Sequence, residues 1–265
     1  MAKAFWNKFK EECNIVITAF MFFTRLPMPT ITNYNPVYLQ KSSKYFSWVG
    51  LFVGFTACLP LFFLKDFFGW NITILLSMAT TILVTGAFHE DGFADCCDAF
   101  GGGWDKQKIL TIMKDSRLGT YGVIGLIGVL SVKFSLLLFL AQLLETKKLM
   151  LLVLIAHSFS RLAAVFMMHF LPYVQDIDAS KAKPLANQKL NFWQIVIAII
   201  APVIPFLFLN HYFALIVLPI FPLFLYIKNY FNKWIGGYTG DCLGATQQIF
   251  ELVFYFCSII IAKLA

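Results

Sequence analysis

The chain has 265 residues, 59% of them hydrophobic and 13% charged, with a mean hydropathy of +0.74. That balance is of a polytopic membrane protein rather than a soluble one, organised as a single domain over 1–265. The formal charge of +7 comes from basic residues dispersed between apolar segments. With no basic run and no RNA-type motif, a nucleic-acid partner is excluded and membrane topology explains the charge.

The start, MAKAFWNKFKEEC, is mixed-charge and amphipathic, with no cleavable signal pattern. It leads into about ten apolar residues that end before Pro27 and Pro29. Spanning a bilayer takes roughly 20 residues, so this stretch reads as a short re-entrant or interfacial helix. Residues 30–44 read as a polar loop. Seven candidate spans follow, near 45–64, 71–89, 121–143, 149–171, 193–209, 213–227 and 247–264. The expected fold class is therefore all-α: a polytopic helical bundle of about seven transmembrane helices plus the N-terminal segment.

If the N-terminal segment does not cross, the basic residues fall very unequally. Fifteen lie on one side and only Lys65, Lys147, Lys148 and Lys263 on the other, with Lys133 and Arg161 inside spans. The positive-inside rule makes the first side cytoplasmic. It carries all three long polar loops, 90–120, 172–192 and 228–246, which together form the expected active-site face. The six cysteines show no C-x-x-C spacing and no disulfide framework. Adjacent Cys96 and Cys97 read as small packing residues.

The chemistry concentrates in HEDGFADCCDAFGGGWDKQKILTIMKDSRLG, residues 89–119, which holds six of the chain's fourteen carboxylates. Asp91, Asp95 and Asp98 are spaced i, i+4, i+7 and share one face of a helix at the end of the second long span. With Glu90 adjacent, like charges this close ask for a cation. An oxygen-only ligand set points to Mg²⁺ or Mn²⁺ rather than zinc. The second histidine of a zincin motif is missing after His89-Glu90. Gly101, Gly102 and Gly103 read either as a phosphate nest or as a helix-ending turn. Lys114, Ser116 and Arg117 can hold phosphate oxygens, and Asp115 stands among them. Gly119, Gly122, Gly125 and Gly128 read as close-packing positions. Arg161, inside an apolar span, either pairs with a structural carboxylate or reaches a substrate phosphate. In GGYTGDCLGA, 236–245, Asp241 can approach a metal or a ribose hydroxyl. The loose backbone around Gly237, Thr239 and Gly240 can accept phosphate. Acids, glycines and separate cations on one face resemble a phosphoryl-transfer site.

At these motifs the chain resembles the cobalamin synthase family, the adenosylcobinamide-GDP ribazoletransferases. The carriers are FHEDGFADCCDAFGGG at 88–103, IMKDSRLGTYG at 112–122, and GGYTGDCLGA at 236–245 with Glu251. FFTRLPMP at 22–29, Ser160-Arg161 and Leu171-Pro172-Tyr173 fit in order and spacing. Ala99 stands where a glycine is common, and the 172–192 loop departs from the family's glycine-rich version. The resemblance implies adenosylcobinamide-GDP as donor and α-ribazole or its 5′-phosphate as acceptor. It implies GMP release, Mg²⁺ as cofactor, and a place in the bacterial inner membrane. Asp91, Asp95 and Asp98 would hold metal, and Asp115 or Asp241 would be the base. The oligomeric state stays open, a homo-oligomer included. The rival class is a cation-coupled transporter, which predicts carboxylates deep within several spans and polar loops on both sides.

Overall fold

The computed structural model describes residues 2–175 and 189–264. The centre of the polar loop 172–192 lies outside the described residues. Among those described, the secondary structure is helical, apart from one isolated parallel bridge between Tyr173 and Tyr238.

Helix α1, Ala2–Phe23, is one continuous helix, and it is not among those apolar enough to cross a membrane. Its Glu11 and Glu12 pair with Lys41 (2.7 Å) and buried Lys44 (2.8 Å). Phe23 stacks on Phe46 with centroids 4.0 Å apart. The polar loop expected over 30–44 is shorter than its composition implied. A helical turn α2, Val37–Ser42, and a 3₁₀ turn, Ser43–Tyr45, run directly into α3, Phe46–Phe63. Lys41 and Lys44 look like loop residues in sequence. They sit in helix because α1 supplies their counter-charges.

Among the described residues, six helices are long and apolar enough to cross a membrane, with the shorter apolar α9, Phe192–Phe206, beside them. The six comprise the continuous Val37–Phe63 unit, α4 (Lys65–Thr85), α7 (Thr120–Leu143), α8 (Thr146–Phe170), His211–Ile235 (a 3₁₀ turn leading into α10, Val217–Ile235) and α11 (Gly240–Leu264). Pro202 and Pro205 help keep α9 short. Burial sorts the spans into two layers. The window of α8 is 72% buried, α11 61% and the α3 unit 56%, against 22–28% for α4, α7 and the α10 unit. The first three form the centre, while the others turn residues such as Leu83, Ile124, Ile127 and Leu218 outward. Small residues make the central contact close. A Cβ on Gly50 would strike the His157 carbonyl, and one on Gly54 would lie 2.9 Å from the Leu154 Cα. Backbone approach of this kind is how apolar helices associate without a hydrophobic driving force between them.

The largest departure from expectation comes at residue 86. The span expected over 71–89 stops at Thr85, where Gly86 adopts φ +67° and its N–H bonds back to Ile82 and Leu83. Ala87 follows at φ +57°, a conformation an alanine seldom holds. A separate helix, α5, Phe88–Gly102, then sets off, followed by the short α6, Lys106–Met113, capped by Asp105 accepting from the Lys108 N–H at 2.9 Å. The acids thus ride on their own helix, packed against α11 and α7, not on the end of a span.

Candidate active site

Helix α5 has two chemically distinct faces. Asp91, Asp95 and Asp98 fall on one, with Asp91 exposed and the other two half-buried. Gly92, Cys96 and Ala99 point inward and carry the packing. At Gly92 the helix crosses the first turn of α11 so closely that an added Cβ would lie 2.9 Å from the Asp241 Cα. Gly244 mirrors it from α11, where an added Cβ would lie 3.0 Å from the His89 carbonyl oxygen. This crossing of two glycines brings Asp241 beside Asp91 and Asp95, residues some 150 positions away in sequence. Burial, then Asp241, Asp91 and Asp98 in turn, pushes Asp95 up to about 7. Four carboxylates therefore share one field, and one of them sits near neutrality.

Asp98 is also committed locally. Its Oδ2 accepts from the Gly119 N–H at 2.7 Å and its Oδ1 from the Gly122 N–H at 2.8 Å, closing the N-terminus of α7, whose own cap residue has no side chain. A Cβ at either glycine would collide with that carboxylate, and one at Gly125 would strike the Cys97 thiol. Gly119, the cap residue of α7, and Gly122 and Gly125 within it therefore serve close packing, as expected, while Gly128 faces open space. Cys97 is in that contact and Cys96 is buried, so both are packing residues, and all six cysteines are free thiols.

Several other expected site residues do different work. Gly101 and Gly102 are the last turn of α5, and the Gly103 N–H bonds to the Ala99 carbonyl, so the three form no anion nest. They are glycine because Tyr121 lies against Gly101 and Ile109 against Gly103. Gly237 admits the 172–174 segment, whose Pro172 carbonyl accepts from the Tyr238 N–H at 2.9 Å. Thr239 is fully buried and caps α11, its Oγ1 accepting from the Cys242 N–H at 3.2 Å and lying 3.4 Å from Asp241 Oδ2. Gly240 has open space where a side chain would stand. Asp115 and Arg117 grip each other, with Oδ2 and Nη2 2.7 Å apart, and Arg117 also donates its backbone N–H to Asp115 Oδ1. That hydrogen bonding holds Asp115 down to about 2, where it is a feeble base. Lys114, Ser116 and Arg117 are all exposed at the end of α6, on the loop that leads to Gly119.

Glu90 and Arg161 belong elsewhere. Glu90 is only 9% exposed and accepts from Gln248 Nε2 at 2.9 Å, on the inner side of α5 away from the aspartates. The metal role expected from its neighbours in sequence is not supported by that orientation. Gln248 Oε1 in turn accepts from Lys133 Nζ at 3.0 Å, and Lys133 lies 3.2 Å from Glu251. Glu251 also accepts from Gln247 Nε2 at 2.7 Å and stands 3.6 Å from His157. Arg161 donates to the His157 carbonyl at 2.9 Å, and its guanidinium lies over Phe46. His89 stacks on the same Phe46 ring, 5.8 Å between centroids, and is held neutral by burial and by Arg161, Lys133 and His157 nearby. This chain of polar groups joins α5, α7, α8 and α11 inside the bundle. Sequence reading missed it, although a lysine and a glutamate at matching depth in two spans were a signal. Glu251 is a carboxylate deep within a span, as a transporter would need, but its charge is already met by Lys133.

An all-oxygen donor set at Asp91, Asp95, Asp98 and Asp241 suits a hard divalent cation. Among the described residues no three His, Cys, Asp or Glu stand close enough to enclose a metal by themselves. A cation here would complete its shell with water and substrate phosphate, as Mg²⁺ ordinarily does.

Comparison with known proteins gives a consistent kinship. The family model described as cobalamin-5-phosphate synthase matches residues 15–259. A protein of Leptospira interrogans, named adenosylcobinamide-GDP ribazoletransferase, is 41% identical over 94% of this chain and 96% of its own length. One of the same name from Shewanella oneidensis is 42% identical over 97% of this chain and 96% of its own. No solved structure matches the chain. With the model covering nearly its whole length, and its acid helix, its glycine crossing and its α11 turn all inside that match, this chain belongs to the cobalamin-5-phosphate synthase family.

Proposed function

We propose that this protein is an adenosylcobinamide-GDP ribazoletransferase acting at a bacterial inner membrane, with the acid face and its flanking loops on the cytoplasmic side. The observation that carries the reading is the α5–α11 crossing, which sets Asp241 against Asp95 and holds Asp95 near neutrality. In the reaction, a ribose hydroxyl of α-ribazole or its 5′-phosphate attacks the phosphorus attached to the corrinoid arm. The bond from that phosphorus to the bridging oxygen of the diphosphate breaks, and GMP leaves. The hydroxyl proton passes to a carboxylate. Asp241, set against these acids by the crossing, is suited to receive it. Asp115, already spent on Arg117, is the weaker candidate.

Asp91, Asp95 and Asp98 would hold Mg²⁺, or Mn²⁺, Asp98 doing so while its oxygens also accept from the Gly119 and Gly122 N–H groups. The ion would neutralise charge building on the diphosphate and on departing GMP. Lys114 and Arg117, exposed on the 114–119 loop that Asp98 ties to α5 through the Gly119 N–H, would take phosphate oxygens. The fifteen basic residues on this side against four on the other support the cytoplasmic assignment.

The test is purified protein in detergent with adenosylcobinamide-GDP, α-ribazole and Mg²⁺, assayed for GMP and for the joined corrinoid. GMP formed only when acceptor and Mg²⁺ are both present supports the assignment. An Asp95→Asn variant that inserts normally and keeps full transfer would end the role given to Asp95.

A further inference from the structure

At the end of the bundle opposite the acids, two turns meet. Leu64 joins α3 to α4, and residues 144–145 join α7 to α8. They are tied together by Lys65 Nζ donating to Thr146 Oγ1 at 2.8 Å. Beside them lies a hollow of about 750 Å³, inside the range of roughly 300–1,000 Å³ usual for sites that hold a ligand. Its wall is apolar, built from Phe62, Phe63, Leu151 and Phe208, and its rim is polar, with Lys65, Lys147, Asp66 and Thr146. A second, smaller cavity of about 120 Å³ shares Phe208 and adds Lys148. Ala262 lines that cavity too, next to Lys263, whose ammonium lies 4.8 Å from the Phe139 ring centre.

The charge pattern makes this more than a gap between helices. This end of the molecule carries few cations, namely Lys65, Lys147, Lys148 and Lys263. Three of the four line these two adjoining cavities, and the fourth follows a lining residue. Asp66 lies 4.0 Å from Lys65 Nζ and Glu145 stands in the second turn, so four lysines face two acids and cations stay in excess. Lysines placed where spans end, above an apolar groove open to the acyl region, match a molecule with an anionic head and two hydrocarbon tails. A protein partner would need a broad complementary face, not a hollow.

We propose that this hollow binds one anionic diacyl glycerophospholipid, its phosphate held by Lys65 and Lys147 and its acyl chains lying on Phe62, Phe63, Leu151 and Phe208. Lys148 and Lys263 extend the positive field around the head group. The site is separate from the acid face, so it anchors and stabilises the bundle rather than joining the reaction.

Full-length protein, stripped of lipid in neutral detergent, is titrated with phosphatidylglycerol, with phosphatidylcholine or with inorganic phosphate. Thermal midpoint and retained lipid are read by scanning and mass spectrometry. Phosphatidylglycerol should bind about tenfold more tightly than phosphatidylcholine, and inorganic phosphate should leave the midpoint unmoved. The K65Q/K147Q/K148Q variant should lose the preference, while K228Q/K233Q at the opposite end keeps it. Leu151→Trp, which fills the groove without changing charge, should lose retention of both lipids and covers the case in which the triple variant does not fold. Equal affinity for the two lipids, or a preference that survives both the triple and the Leu151→Trp variants, overturns the proposal. So does stabilisation by phosphate alone, or a shift to dimer in place of lipid uptake.

Discussion

Two sets of charged residues sit back to back on helix α5, and they obey opposite rules. On the outer face, Asp91, Asp95 and Asp98 crowd together with Asp241 from α11, and burial, then that repulsion, pushes Asp95 up. On the inner face, Glu90 and Glu251 are almost fully buried; Glu90 accepts from Gln248 at one oxygen, and Glu251 accepts from Gln247 with Lys133 3.2 Å away. Buried charge that is met inside the protein is structural. Charge left in excess at an open surface is a binding instrument, since only an incoming cation or a cation-bearing substrate relieves it. One residue of rotation along α5 separates Glu90 from Asp91, and with it the two roles.

The harshest way to break that contrast is on the buried side. Lys133→Met should leave Glu251 and Gln248 facing an apolar side chain, with the Glu251 charge only 1% exposed. Removing one partner of a buried pair costs about 3–5 kcal/mol, so the expected outcome is low yield of folded protein and a sharply lowered unfolding midpoint. Adding Glu251→Gln to the same chain should recover much of the loss. If the single variant is as stable as the parent, the network is not a structural device.

Next in size is the seam between the two faces. Gly92→Ala puts a methyl against the Asp241 backbone, where neither side can yield without α5 and α11 separating. A misplacement of about 1 Å typically costs on the order of 100-fold in rate. Transfer should fall by that factor while circular dichroism and insertion stay normal. Unchanged kcat in this variant would detach catalysis from the crossing.

The contrast also explains what could be read from sequence. The apolar runs marked the spans because length and hydropathy are one-dimensional properties, and the i, i+4, i+7 spacing was enough to put three aspartates on one face. The break at Gly86-Ala87 was missed because the residues on both sides are helix-compatible and apolar up to Phe88. The triple glycine was ambiguous for a related reason. Whether it forms a nest or a helix end depends on Tyr121 and Ile109, which arrive from other helices. Glu90 was assigned with its neighbours because adjacency in sequence hides a turn of about 100° around a helix. The Lys133–Glu251–Gln248–Glu90 chain draws on three helices and no local pattern encodes it.

A smaller effect is expected at the exposed edge of the outer face. Arg117 has 87% of its side chain in solvent and is paired with Asp115. Such a pair contributes little to folding, so Arg117→Gln should leave the unfolding midpoint in place. If Arg117 reaches a substrate phosphate, KM for the GDP-bearing donor rises about tenfold with kcat nearly unchanged, the signature of lost uniform binding. A drop in kcat at constant KM would instead give the residue a part in the transition state.

The subtlest measurement reads the crowding itself, in chelator and then with Mg²⁺. Folded Asp95 titrates near 7, whereas the same group in an unfolded chain titrates near 3.8. Below about pH 4 both states are protonated and Asp95 is neutral to stability. As pH climbs from there toward 7 the unfolded chain gives up its proton first and the folded one resists, so stability falls through that window and levels off above it. Asp95→Asn should flatten the decline. If a divalent cation belongs among these carboxylates, Mg²⁺ restores the lost stability of the parent at pH 8 and does much less at pH 5, where protons already do its work. It should also do much less for Asp95→Asn at either pH. Equal stabilisation of both proteins at both pH values would place the ion elsewhere and leave the acid face to bind its substrate through hydrogen bonds alone.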